Sequence, residues 1–187
     1  MLSSNSHKPQ RILGLAAAVS LLLGSAAQAV DRGHNFVLTA FSNGRGGAEL
    51  VSGKYGEAVQ ALHNRPNFSE SDASATSNNR CVALAMTKQW DSARIACDAA
   101  VREARQERTA LPSYQYWARK LKDDYLALAL SNRAVLHWLS SDNEAAASDL
   151  KRAEELSPHA EFVTRNRQAL EFSHTAVAQV AVAPSSP

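Results

Sequence analysis

The chain has 187 residues, with 20 Lys and Arg against 18 Asp and Glu, a formal charge of +2. Aromatic residues make up only 6%, and Ala, Leu, Arg and Glu are abundant, which suits helices better than sheets. No clustered basic patch is present, which argues against nucleic acid as a partner: "RKLK" at 119–122 is followed at once by Asp123 and Asp124 and reads as a solvated helix face.

The chain opens with Lys8 and Arg11, an apolar run "ILGLAAAVSLLLG" and the small-x-small triplet Ala27, Gln28, Ala29. That order predicts a secretory signal over 1–29 cut after Ala29, because the apolar run is shorter than the roughly 20 residues a bilayer span requires. Retention as an N-terminal anchor is the alternative. Loss of residues 1–29 removes two basic residues and no acid, leaving a formally neutral chain with no further membrane span expected. The rest is long enough for one domain with a real core.

Residues 30–42 read as an N-terminal extended segment, either docked on the first repeat or free. "NGRGGAELVSGKY" then places four glycines and a lysine within a short stretch, as a phosphate loop would. The spacing excludes that use, since Gly53-Lys54 is followed by Tyr55 rather than Ser or Thr and the glycines do not spell G-x-G-x-x-G. "GKYGEAVQAL" instead predicts a turn at Gly53 and a helix from Tyr55, the second member of a helix pair over 43–65.

Two later windows align without a gap, "NNRCVALAMTKQWDSARIACDAAV" from Asn78 and "SNRAVLHWLSSDNEAAASDLKRAE" from Ser131. Each predicts two amphipathic helices around a polar break, at Lys88–Asp91 and Ser140–Asn143, giving pairs over 75–106 and 124–157. Asp142 is positioned as an N-cap. Between the pairs, Pro112 and Ser113 break an insertion whose Tyr114, Tyr116 and Trp117 either cover an exposed repeat end or offer a partner site. "HAEFVTRNRQALEFS" predicts a last helix near 159–173, and 175–187 reads as a disordered tail.

The later window resembles a tetratricopeptide repeat. Asn132, Ala134, Ala146, Leu150, Ala153 and Pro158 fall where that 34-residue motif places its Asn, small residue, Ala, large apolar residue, Ala and closing Pro. Cys81, Ala93, Cys97 and Ala100 take the corresponding places in the earlier window, and Gly46, Ala58 and Leu62 in a worn first repeat. The resemblance implies an all-α fold of stacked antiparallel helix pairs, a short right-handed α-solenoid over 43–174 closed by a C-terminal capping helix.

Cys81 and Cys97 lie equidistant from the break in the second pair, at inward positions. In an exported protein this arrangement favours a disulfide, the alternative being two buried thiols. The six histidines are scattered without metal-ligand spacing, and no convergent acid, base and nucleophile set is present, so no catalytic residue, metal or cofactor is expected. A thiol-redox protein or enzyme using Cys81 and Cys97 is the competing class, and a purely structural accessory subunit a third.

By the resemblance, the first helices line a concave groove bearing Asn78, Asn79, Val82 and Met86 beside Leu128, Ser131, Asn132, Val135 and Trp138. Asparagine amides can hold an extended peptide's backbone through a paired donor and acceptor. Arg80 and Arg133 follow such asparagines directly and, if they faced the groove, could grip a peptide's C-terminal carboxylate; the one-residue step of about 100° leaves that use open without indicating it. The expectation is a non-enzymatic adaptor binding a protein or peptide of the cell envelope, in a periplasmic or secreted setting.

Overall fold

A computed structural model of the chain describes residues 29–30, 36–63 and 73–181, with side chains over 36–63 and 73–172. The expected signal up to residue 28, residues 31–35 of the extended segment, residues 64–72 and the last six residues lie outside this description. Helices account for most of it: α1 (Gly47–Val51), α2 (Tyr55–His63), α3 (Ala73–Met86), α4 (Trp90–Thr109), α5 (Tyr116–Leu139), α6 (Asn143–Leu156) and α7 (Glu161–Ala181). Two short strands, β1 (Ala29–Val30) and β2 (Val37–Leu38), pair antiparallel, Ala29 opposite Leu38 and Val30 opposite Val37. The expected cleavage after Ala29 therefore falls between the two residues of β1.

Helix pairs α3/α4 and α5/α6 pack along their lengths, and small residues let them approach. Ala93, Ala100, Ala146 and Ala153 are all at most 1% exposed; Ala93 and Ala146 share one core cluster with the equally buried Cys81 and Ala134, and Ala100 and Ala153 a second with Leu126 and Leu130. Ala58, Leu62, Cys97 and Leu150 fill the equivalent inward positions. Cys81 and Cys97 stand at disulfide distance, with Cα atoms 4.8 Å apart across the α3/α4 pair.

Three helix ends close in the same way. After α1, α3 and α5, a residue with positive φ follows: Gly53 at 73°, Lys88 at 59° and Ser141 at 63°. In each, that residue's N–H reaches three residues back and the next N–H five back, as in Lys54 to Glu49, Gln89 to Leu84 and Asp142 to His137. This is the six-to-one and five-to-two pattern of a Schellman turn, which satisfies carbonyls the helix end would leave open. Asp142 then caps α6, its Oδ1 accepting from Ala145 N–H at 3.1 Å.

Four features depart from the sequence reading. The first helix of the 43–65 pair shrinks to the five residues of α1, and Gly46 precedes it as a left-handed N-cap. Gly46 still serves close packing, since a Cβ there would stand 2.9 Å from the Leu62 side chain. Pro158 ends α6 but is exposed, with Ser157 the buried residue beside it. Tyr114, Tyr116 and Trp117 cover nothing: they are 66–82% exposed at the tip of the extended α4/α5 hairpin. Finally, α7 runs on to Ala181, into the segment expected to be a disordered tail.

That hairpin arises because the insertion lengthens α4 and α5 rather than forming a loop domain. Ion pairs Lys122–Glu107, at 2.6 Å, and Arg108–Asp123 tie its arms. Glu107 also accepts from Ser74 N–H and Oγ at the start of α3, where a carboxylate complements the helix dipole. Among the described residues no helix is long and apolar enough to cross a membrane.

Candidate peptide-binding groove

Helix α5 packs between α3 and α7, and β2 lies against α5 and α7. Each of the three helices contributes one fully buried asparagine to a common row, Asn79, Asn132 and Asn166. Residues Phe36–Phe41 run along that row, and the asparagines hold every second residue by both its amide groups. Val37 N–H donates to Asn166 Oδ1 at 2.6 Å, and Asn166 Nδ2 donates back to the Val37 carbonyl at 2.9 Å. Thr39 exchanges the same pair with Asn132 at 2.8 and 2.7 Å. Phe41 does so with Asn79 at 2.8 and 2.9 Å. A period of two is that of an extended chain, in which alternate amides point the same way.

Each amide group in the row has a second donor, and all three are used. Asn132 Nδ2 donates to Asn78 Oδ1 at 2.9 Å and Asn166 Nδ2 to Ser131 Oγ at 2.8 Å. Asn78 and Ser131 are the residues just before Asn79 and Asn132, so the polar residue of one helix orients the asparagine of the next. Asn79, first in the row, donates instead to the Arg45 carbonyl at 3.0 Å. Asn78 adds a bond to the Thr39 carbonyl at 3.0 Å. The network is closed, as a buried polar cluster must be to avoid a desolvation penalty.

Aromatic contacts mark the two ends of the segment. Phe36 packs on Trp138 with ring centroids 4.6 Å apart, and Phe41 on Tyr125 at 4.5 Å. Between them Val37, Leu38, Thr39 and Ala40 are buried. Burial of Phe36, Val37 and Leu38 contributes about 6 kcal/mol. The six paired bonds contribute about as much again. Ordering six backbone residues opposes this with about 6–12 kcal/mol. The balance favours the docked segment by at most about 6 kcal/mol.

An arginine follows each asparagine of the row and, one residue around the helix, reaches back to the preceding pair. Arg80 Nη2 donates to the Leu62 carbonyl of α2 at 2.5 Å. Arg133 pairs with Asp98 of α4 at 3.0 Å and holds Asp149 of α6 through two bonds of 2.7 and 2.8 Å. Its hydrogen bond to Asp149 raises the Arg133 pKa further, against the opposing effect of burial, so the charge persists at any physiological pH. Arg167 lies 3.6 Å from Glu154 of α6. Asparagine grips the segment and arginine braces the helix, as the 100° step requires.

The structure thus brings Asn78, Asn79, Ser131, Asn132 and Trp138 together around one stretch of backbone. Val82, Leu128 and Val135 are buried, while Met86 is half-buried against the core. Two participants escape the sequence reading, Tyr125 and Asn166, and the segment Phe36–Phe41, expected to dock on the first repeat or hang free, lies instead across α3, α5 and α7. Asn166-Arg167 carries a usable signal, since it repeats Asn132-Arg133 at an interval of 34 residues. Among the described residues no three His, Cys, Asp or Glu side chains gather as metal ligands. No family model, curated protein or solved structure matches this chain.

Proposed function

We propose that this chain is a non-enzymatic, tetratricopeptide-like adaptor of the cell envelope that holds a partner protein by an extended stretch of its backbone. The observation that carries the reading is the asparagine row, which grips both amide groups of residues 37, 39 and 41. A grip on backbone alone is the chemistry of peptide recognition, because it needs an extended strand and not one particular sequence. Recurrence of Asn-Arg after 34 residues, with three matching helix-end turns, supports a right-handed α-solenoid in which α7 begins a further repeat instead of merely capping the array. The cysteine pair at disulfide distance is compatible with a periplasmic or secreted setting reached through the signal sequence.

A thiol-redox role is the weaker reading. Cys81 and Cys97 are both fully buried between α3 and α4, where a partner's thiolate has no approach. The arrangement favours a structural staple.

A photoreactive amino acid placed at Met86, half-buried at the end of α3 and expected on the groove, and separately at Ile95, 68% exposed on α4, tests the adaptor reading in living cells. The expected result is a cross-link from Met86 to one contiguous stretch of a single envelope protein, with none from Ile95. Cross-links only from Ile95, or none from either site, would sink the proposal.

A further inference from the structure

In the structure the groove is occupied by the chain's own residues 36–41. From that occupancy we infer that Phe36–Phe41 is a displaceable strap, and that the partner it excludes is an extended peptide of the same pattern. That pattern has aromatic residues five apart, small or apolar residues between them, and unsubstituted amides at every second position. The inference rests on the adaptor reading above and specifies the partner and regulation of that site.

The pattern follows from what each part of the groove touches. Trp138 and Tyr125 each receive one aromatic ring, from Phe36 and Phe41. Asn166, Asn132 and Asn79 each need an N–H as well as a carbonyl, so a proline or N-methyl residue is excluded at the positions of Val37, Thr39 and Phe41. The asparagines do not grip Leu38 or Ala40, so N-substitution at the Ala40 position leaves all six paired bonds in place. These requirements do not depend on whether the strand arrives in the same chain or another.

The strap competes because it is tethered. A segment joined through the short turn at 42–46 has an effective concentration in the millimolar range, so a free peptide binds only the fraction of molecules whose groove is open. The turn is built for this approach: a Cβ at Gly47 would stand 2.2 Å from the Phe41 carbonyl oxygen, which only glycine avoids. Weakening the strap without touching the groove therefore raises apparent affinity for an added peptide.

The test uses the full chain and a labelled synthetic peptide, Asn-Phe-Val-Leu-Thr-Ala-Phe-Ser, corresponding to residues 35–42. Binding is measured to the unsubstituted protein, to Thr39→Pro, which removes the donor to Asn132, and to Phe36→Ala, which removes the ring on Trp138. Phe36→Ala alone carries the test if Thr39→Pro does not fold. The strap-weakened protein should bind the peptide at least about tenfold tighter than the unsubstituted chain. N-methylation at the peptide's Thr position abolishes binding, whereas N-methylation at its Ala position does not.

Equal affinity for all proteins, still lost on Asn132→Ala, would overturn the strap while leaving the groove a peptide site. No binding by any variant whose circular dichroism matches the unsubstituted chain would overturn both readings. A strap-weakened protein that takes up the segment of a second copy, seen as a dimer on size exclusion, would assign the groove to self-assembly and overturn the proposal.

Discussion

Asn132 sits at the centre of the row and is the residue on which most of the network converges. It gives Thr39 an acceptor and a donor and also bonds Asn78. Replacement by Ala leaves the Thr39 N–H and the Asn78 Oδ1 buried without their partner. Asn132→Ala should therefore destabilise the protein by about 2–4 kcal/mol, read as a fall in the urea midpoint. Asn132→Asp should be no milder, because a carboxylate keeps the acceptor, loses both donors and buries a charge. The resemblance to stacked helix pairs implies that Asn78, Asn79 and Asn132 line a groove, and in the structure all three are buried against the segment Phe36–Phe41. Asn166 is harder to find, since α7 reads as an amphipathic end piece and only the return of Asn-Arg after 34 residues points to it. In the structure Phe172 is 71% exposed, and Asn166, fully buried, is the informative residue.

At the scale of the element, the three Schellman turns predict opposite signs for similar substitutions. Gly53, Lys88 and Ser141 share one left-handed backbone, and only the first is the residue that adopts it without strain. Lys88→Gly and Ser141→Gly should each stabilise by about 1 kcal/mol. Gly53→Ala should destabilise by a similar amount although a Cβ there meets nothing within 4 Å, so the effect is purely backbone. Thermal unfolding of the three variants checks all of this at once. The turns at Lys88–Asp91 and Ser140–Asn143, and the Asp142 cap, are legible because polar breaks interrupt clean helical periodicity. The first helix is hard to read for the converse reason. Gly46, assigned to that helix by the repeat register, stands just before it as the N-cap, where an added Cβ would meet the Leu62 side chain. A repeat position can be filled by non-helical chain, however, and the glycines around it favour that outcome.

For the molecule as a whole, two constraints act at different joints: the Cys81 and Cys97 pair ties α3 to α4, and the segment Phe36–Phe41 lies across α3, α5 and α7. Sequence separation of 16 between the cysteines makes the first worth about 3 kcal/mol by loop closure. Reductant should lower the urea midpoint accordingly while leaving the helical circular dichroism of the folded state unchanged. The helical class, the pairing of helices and the cysteine contact are all readable, because each rests on local periodicity and a symmetric offset about a turn. The groove's occupant is not, because contacts between residues 37 and 166 span 129 positions and no local pattern reports them. "FVLTAF" shows only that a short strand is available. What it lies against depends on three separate helices being assembled first.

The central claim is that backbone amides of residues 37, 39 and 41 are held by asparagine side chains, and residue-resolved hydrogen exchange by NMR tests it most directly. The Val37, Thr39 and Phe41 amides should exchange far more slowly than a free peptide of the same sequence, and Asn132→Ala should release Thr39 most strongly. Exchange of all three at free-peptide rates, in a protein whose α3 and α5 amides remain protected, would contradict it.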